Sequence, residues 1–169
     1  LLKKNTNLIL IRSLTKFYSI PGLRIGYGIL HPEKIKQIES YQYPWSVNAL
    51  AQAVGAEVIL DTGFQEKTRN WTIDERIFML HELNSIPEIE VFSSETNFLL
   101  FRVRDNNKAT AQDLYANLLS QSLLIRNCGN FKGLNESFFR ISLRERRDNQ
   151  KLVESIYDYF STRQRDFKK

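Results

Sequence analysis

The sequence predicts an α/β chain in two regions joined by one long helix. Three observations predict it. Residues 1–60 carry strand and helix signals of βαα character around a long glycine-containing loop. Residues 86–165 alternate as β-β-α-β-β-α, an α+β order. Between them, residues 63–84 keep an unbroken helical pattern. The domain reading is 1–62, a bridging helix at 63–85, and 86–169.

Leu8-Ile9-Leu10-Ile11 is a short apolar, β-branched run and reads as a buried strand. Leu1 to Lys4 before it reads as the tail of a helix, with Asn5 to Asn7 as a turn. Ser13 to Arg24 has neither strand nor helix periodicity and contains Pro21-Gly22, so it reads as a loop. Ile25 to Leu30 is the next strand, where Gly26 and Gly28 permit close backbone approach. Pro32 suits the first turn of a helix reaching about Tyr41. Ser46 is placed to cap a helix from Val47 to Leu60, rich in small residues. Phe64, Trp71, Ile77, Phe78, Leu80 and Leu83 supply the apolar side of the long helix.

Ile86-Pro87 opens the second region. Val91-Phe92 and Asn97 to Val103 read as strands, and Thr110 caps a helix to about Ser120 with Asp113 in its first turn. Leu123 to Arg126 reads as a short strand, Asn127 to Ser137 as a polar loop and Phe138 to Leu143 as another strand. Asp148 to Phe160 is the closing helix, followed by a charged, frayed tail from Arg163.

Composition narrows the function classes. With 42% hydrophobic and 25% charged residues the chain is globular, not collagen-like, disordered or a disulfide scaffold. Its 24 Lys and Arg against 19 Asp and Glu give a net charge of +5, too diffuse to indicate nucleic-acid binding. Cys128 is alone, so no internal disulfide points to an oxidising compartment, and a cytoplasmic location is expected. No apolar run is long enough for a membrane span. Metal-ligand spacing is not visible, and His31 and His81 read as structural or surface residues. The chain starts at Leu1 and its one methionine is Met79, so a processed chain or a piece of a longer one is expected.

The chemistry-bearing types cluster after the first strand. Ser13-Leu14-Thr15-Lys16 is followed eight residues later by Arg24, across the Pro21-Gly22 turn. Two hydroxyls and a guanidinium offer donors to an anion, and a lysine amine can condense with an aldehyde. An ordinary polar surface loop has the same composition. A second candidate, Arg140 in Phe138-Phe139-Arg140-Ile141-Ser142-Leu143, has the two-pronged geometry for a carboxylate, or for an acid beside a strand edge.

The segment Ser13-Leu14-Thr15-Lys16-Phe17-Tyr18-Ser19-Ile20-Pro21-Gly22-Leu23-Arg24-Ile25-Gly26-Tyr27 resembles the lysine segment of fold-type I, aminotransferase-like enzymes that use pyridoxal 5'-phosphate. Their pattern is Ser/Thr-x-Ser/Thr-Lys, then Gly-x-Arg-x-Gly, and every position is filled. The resemblance implies Lys16 as the catalytic lysine that carries the cofactor, with Ser13, Thr15 and Arg24 on the cofactor phosphate. It implies that Arg140 holds a substrate carboxylate and Arg126 a substrate phosphate. It also implies the fold: the end of the large cofactor-binding domain, then a small α+β domain. The stretches Pro44 to Gln52 and Leu124 to Leu134 look most like threonine-phosphate decarboxylases. That subfamily converts L-threonine O-3-phosphate to aminopropanol phosphate for cobalamin biosynthesis. The alternatives are a histidinol-phosphate-type aminotransferase and a non-catalytic binding module. The resemblance spans only the C-terminal part of the family's length. It implies a phosphorylated amino acid as the small-molecule partner, no nucleic acid or membrane partner, and a homodimer for the whole protein.

Overall fold

A computed structural model describes residues 2, 4–104 and 110–166, with side chains described as far as residue 162. Leu1 and Lys3, from the expected helical tail, and residues 105–109 and 167–169 lie outside the described residues. The chain divides into two compact units, 1–68 and 69–169. The division falls inside the long helix.

In the first unit, β1 (Ile9–Ser13) pairs antiparallel with β2 (Gly26–Leu30) in a two-stranded ribbon. The chain between them is tied by Leu14 N–H to Ile25 O, Tyr18 N–H to Leu14 O and Ile20 N–H to Thr15 O, and makes one 3-10 turn at Pro21–Leu23. α1 (Pro32–Glu39) follows, with proline in its first turn, and then α2 (Ala49–Leu60). The expectation of a buried first strand fails: Ile11 is 81% exposed, and Ile9 and Leu10 are also exposed. Strand side chains point to the two faces of a sheet, so an apolar run is buried only where something packs on those faces. Ser46 does not cap α2 either. Its hydroxyl donates to Tyr43 O, while Asn48 Oδ1 accepts the Ala51 N–H at 2.8 Å.

The close approach expected at the two glycines is real at one of them. A Cβ on Gly26 would meet Arg12 O at 2.7 Å, whereas one on Gly28 would make ordinary contacts, to the Leu30 side chain at 3.6 Å and Leu10 O at 3.9 Å. α2 lies close to Ile25, the residue before β2, through Gly55, where a Cβ would meet Ile25 Cδ1 at 2.5 Å.

α3 (Thr62–Asn84) begins with Asp61 accepting the Phe64 N–H at 2.8 Å. In the second unit a four-stranded sheet has the order β3-β4-β6-β5, antiparallel throughout, from β3 (Ile89–Val91), β4 (Phe98–Val103), β5 (Arg126–Asn127) and β6 (Phe138–Ser142). The strands alternate. Leu99, Phe101, Val103, Phe139 and Ile141 enter the core, with Leu114 and Leu118 of α4 (Ala111–Ser120) and Ile156 and Phe160 of α5 (Arg146–Asp166). Phe98, Arg102, Phe138 and Arg140 fall on the opposite side of the sheet. α5 keeps helical backbone to Asp166, beyond the expected fray point.

Thr110 caps α4 as expected, accepting the Asp113 N–H at 3.1 Å. The strand expected at Leu123–Arg126 shrinks to Arg126–Asn127 for a local reason. Ser122 takes φ 60°, its N–H returns to Leu119 O, and the Leu123 N–H returns to Leu118 O at 2.9 Å. This helix-ending motif satisfies the last carbonyls of α4 and keeps Leu123 out of the ladder.

Candidate functional site

Two clusters hold the residues singled out by sequence, one in each unit. The first is the loop after β1. Ser13 Oγ and Thr15 Oγ1 are hydrogen-bonded at 2.8 Å, and the Thr15 N–H reaches Ser13 Oγ at 3.4 Å. Ser13, Thr15 and Arg24 line one cavity of about 690 Å³ beside the ribbon. The Arg24 guanidinium donates to Pro21 O at 3.0 Å. The residues lining this cavity thus include two hydroxyls and a guanidinium, donor types suited to an anion.

Lys16 is exposed on the same loop and does not contribute to the lining of that cavity. The loop around it is fixed. Phe17 packs edge-on to Phe64 at 6.3 Å between ring centres, and Tyr18 stacks on Phe64 at 5.7 Å. Leu14 and Thr15 are buried, and Ser19 and Arg24 hold left-handed backbone at φ 54° and 53°. Such conformations cost a non-glycine residue free energy and persist where the surroundings enforce them. The aromatic anchor was not foreseen from sequence. Its signal was present in the adjacent rings of Phe17 and Tyr18, but their partner, Phe64, lies far along the chain.

The second cluster lies on β5 and β6. Arg126 and Arg140 are direct cross-strand partners and line one cavity of about 660 Å³. Arg126 donates to Asn130 Oδ1 at 3.0 Å, and the Arg140 guanidinium sits 4.5 Å from the centre of the Phe98 ring. Neither joins a carboxylate ion pair among the described residues. Like charges directly opposite on neighbouring strands are destabilising, so this juxtaposition favours an anion between them.

The 127–137 loop beside this cavity is braced by Asn127. Its Oδ1 accepts the Gly129 N–H at 2.9 Å and its Nδ2 donates to Glu136 O at 3.0 Å. Cys128 is buried there, with its Sγ 3.6 Å from Arg126 O, a packing position. Among the described residues no group of three or more His, Cys, Asp or Glu is placed to hold a metal ion. The sequence reading also missed a buried polar link. Glu75 of α3 receives Arg146 Nε at 3.0 and 3.1 Å and Asn149 Nδ2 at 2.8 Å. No periodicity signals a contact across more than 70 residues.

Comparison with known proteins places this geometry in context. The chain is 35% identical over 156 residues to the threonine-phosphate decarboxylase of Salmonella typhimurium, covering 92% of this chain and 42% of that protein. The histidinol-phosphate aminotransferase of Clostridium acetobutylicum superposes with a TM-score of 0.88 at 34% identity, over 95% of this chain and 48% of that one. The L-threonine-O-3-phosphate decarboxylase of Porphyromonas gingivalis superposes with a TM-score of 0.80 at 32% identity, over 95% and 49%. The chain thus spans less than half the length of each. The family model for aminotransferase class I and II matches residues 1–156. With the fold-type I architecture of the solved relatives, that match establishes that the chain belongs to the class I and II aminotransferase family.

Proposed function

We propose that the whole protein is a pyridoxal-phosphate enzyme that decarboxylates L-threonine O-3-phosphate to aminopropanol phosphate, a step in cobalamin biosynthesis. The observation that carries this reading is the cross-strand pair Arg126 and Arg140 in one cavity, without a carboxylate ion pair among the described residues. A substrate bearing both a phosphate and a carboxylate relieves their repulsion at both ends.

The cofactor fits the first cluster by its donor set. Ser13, Thr15 and Arg24 share a cavity, and the Ser13–Thr15 contact presents the hydroxyls side by side for a phosphate. Lys16, one residue beyond Thr15, supplies the amine that holds the cofactor's aldehyde carbon. Bound there, the cofactor supplies an electron sink for the bond that breaks at the substrate α-carbon. The protein's own groups do the rest. Arg140 binds the carboxylate and Arg126 the phosphate, so together they fix the orientation of the substrate. Lys16 also offers the amine that moves protons at the α-carbon.

A histidinol-phosphate aminotransferase is the second reading, favoured by the 0.88 TM-score to such an enzyme. The two are separated by giving the whole protein O-phosphothreonine alone, then histidinol phosphate with a keto acid. The proposed function predicts CO₂ release in the first assay. Amino transfer in the second, with no CO₂ in the first, selects the aminotransferase.

A further inference from the structure

The cavity at β5 and β6 carries more positive charge than its two paired arginines. Arg144 and Lys151 also line it, against one carboxylate, Asp148, which leaves a net of three positive charges on the wall. Arg144 follows β6, four residues after Arg140. Its backbone is held on both sides by one buried side chain. Asn149 Oδ1 accepts the Arg144 N–H at 3.0 Å, and Asn149 Nδ2 donates to Arg144 O at 2.7 Å. Asn149 is 1% exposed and is itself anchored by Glu75. The root of Arg144 is therefore fixed by a network reaching back to α3, which is what preorganised binding requires.

The side chain is less committed. Arg144 Nε lies 3.4 Å from Asp148 Oδ2, with both side chains more than half exposed, so water competes for that contact. Lys151 lies three residues beyond Asp148, in the second turn of α5.

We propose that Arg144 and Lys151 are substrate-binding residues that, with Arg126 and Arg140, match one small ligand bearing a phosphate monoester and a carboxylate. A phosphate monoester carries about −1.5 to −2 at neutral pH. With a carboxylate the ligand's anionic groups approach three negative charges, against the three net positive charges of the wall, and the α-amine is left for the cofactor. The proposal rests on the phosphorylated substrate class above and adds residues that the lysine and strand motifs do not contain.

The test uses the whole protein with cofactor, as wild type, Arg144→Gln, Lys151→Gln, the double variant, and Arg147→Gln as a control outside the cavity lining. KM for O-phosphothreonine should rise about tenfold in the double variant, equivalent to roughly one charge-assisted contact. Its kcat should stay within about twofold, and KM should depend less steeply on salt. Titration with inorganic phosphate, which needs no turnover, should show the same weakening, and Arg147→Gln should change neither. Unchanged KM, phosphate affinity and salt slope in the double variant would overturn this proposal while leaving the functional reading standing. A wild type that binds inorganic phosphate but turns over no O-phosphothreonine would overturn the functional reading instead. The phosphate titration would then still decide the role of Arg144 and Lys151.

Discussion

Arg24 joins two unusual circumstances: a left-handed backbone at φ 53° and a place in the lining of the same cavity as Ser13 and Thr15. Hydrogen bonds to charged groups contribute about 1.5–3 kcal/mol each. Arg24→Gln in the whole protein should therefore weaken cofactor binding by roughly tenfold to a hundredfold. A cofactor titration followed by absorbance measures it, and unchanged affinity would remove Arg24 from the phosphate site. At this scale the sequence was most informative. Ser13, Thr15, Lys16 and Arg24 lie within twelve residues, and three of them, without Lys16, line one cavity. Arg126 and Arg140 are fourteen apart, and their strands pair directly. The placement of Arg144 was not legible, because it depends on Asn149 and Glu75.

Elements show where local signals stop. Thr110 was legible as a cap because its acidic third residue and the apolar pattern agree. Ser46 was a poor choice because two cap-forming residues, Ser46 and Asn48, stand two apart, and the hydroxyl of Ser46 is taken by Tyr43 O. The missing start of β5 reflects the end of α4, which consumed the Leu123 N–H. Two substitutions test the element account. Gly26→Ala puts a methyl 2.7 Å from the backbone oxygen of Arg12, and a strand carbonyl cannot swing aside as a side chain can. It should cost about 1–3 kcal/mol, whereas Gly28→Ala should be nearly neutral; equal effects in denaturant melts would contradict the close approach. Arg146→Ala removes the charged partner of Glu75, whose side chain is 6% exposed, and leaves it the hydrogen bond from Asn149. Breaking a buried pair costs about 3–5 kcal/mol. Because the Arg146 side chain is 47% exposed, the low end applies. Glu75→Gln should cost less, since Arg146 can then be hydrated. The reverse order in thermal melts would show that the carboxylate is not the buried, dependent partner.

The molecule as a whole is uneven in how it uses its apolar residues. The second unit buries Met79, Phe101, Phe139 and Ile156 completely, while the first exposes Leu50, Leu60, Ile11 and Trp45 at 63%, 76%, 81% and 95%. Clustered exposed apolar side chains mark surfaces that associate. The 169-residue chain alone should therefore self-associate in sedimentation, and a monomer across a wide concentration range would contradict that. The architecture was legible because periodicity and turn residues carry it; burial was not, because it depends on what covers each face.

The central claim is that Lys16 carries the cofactor, and covalent trapping tests it most directly. The whole protein is incubated with pyridoxal 5'-phosphate, reduced with borohydride and digested, and the modified peptide is located by mass. The account predicts the label on Lys16, and its loss, together with turnover, in Lys16→Ala. A label on another lysine, or an active Lys16→Ala protein, would contradict it.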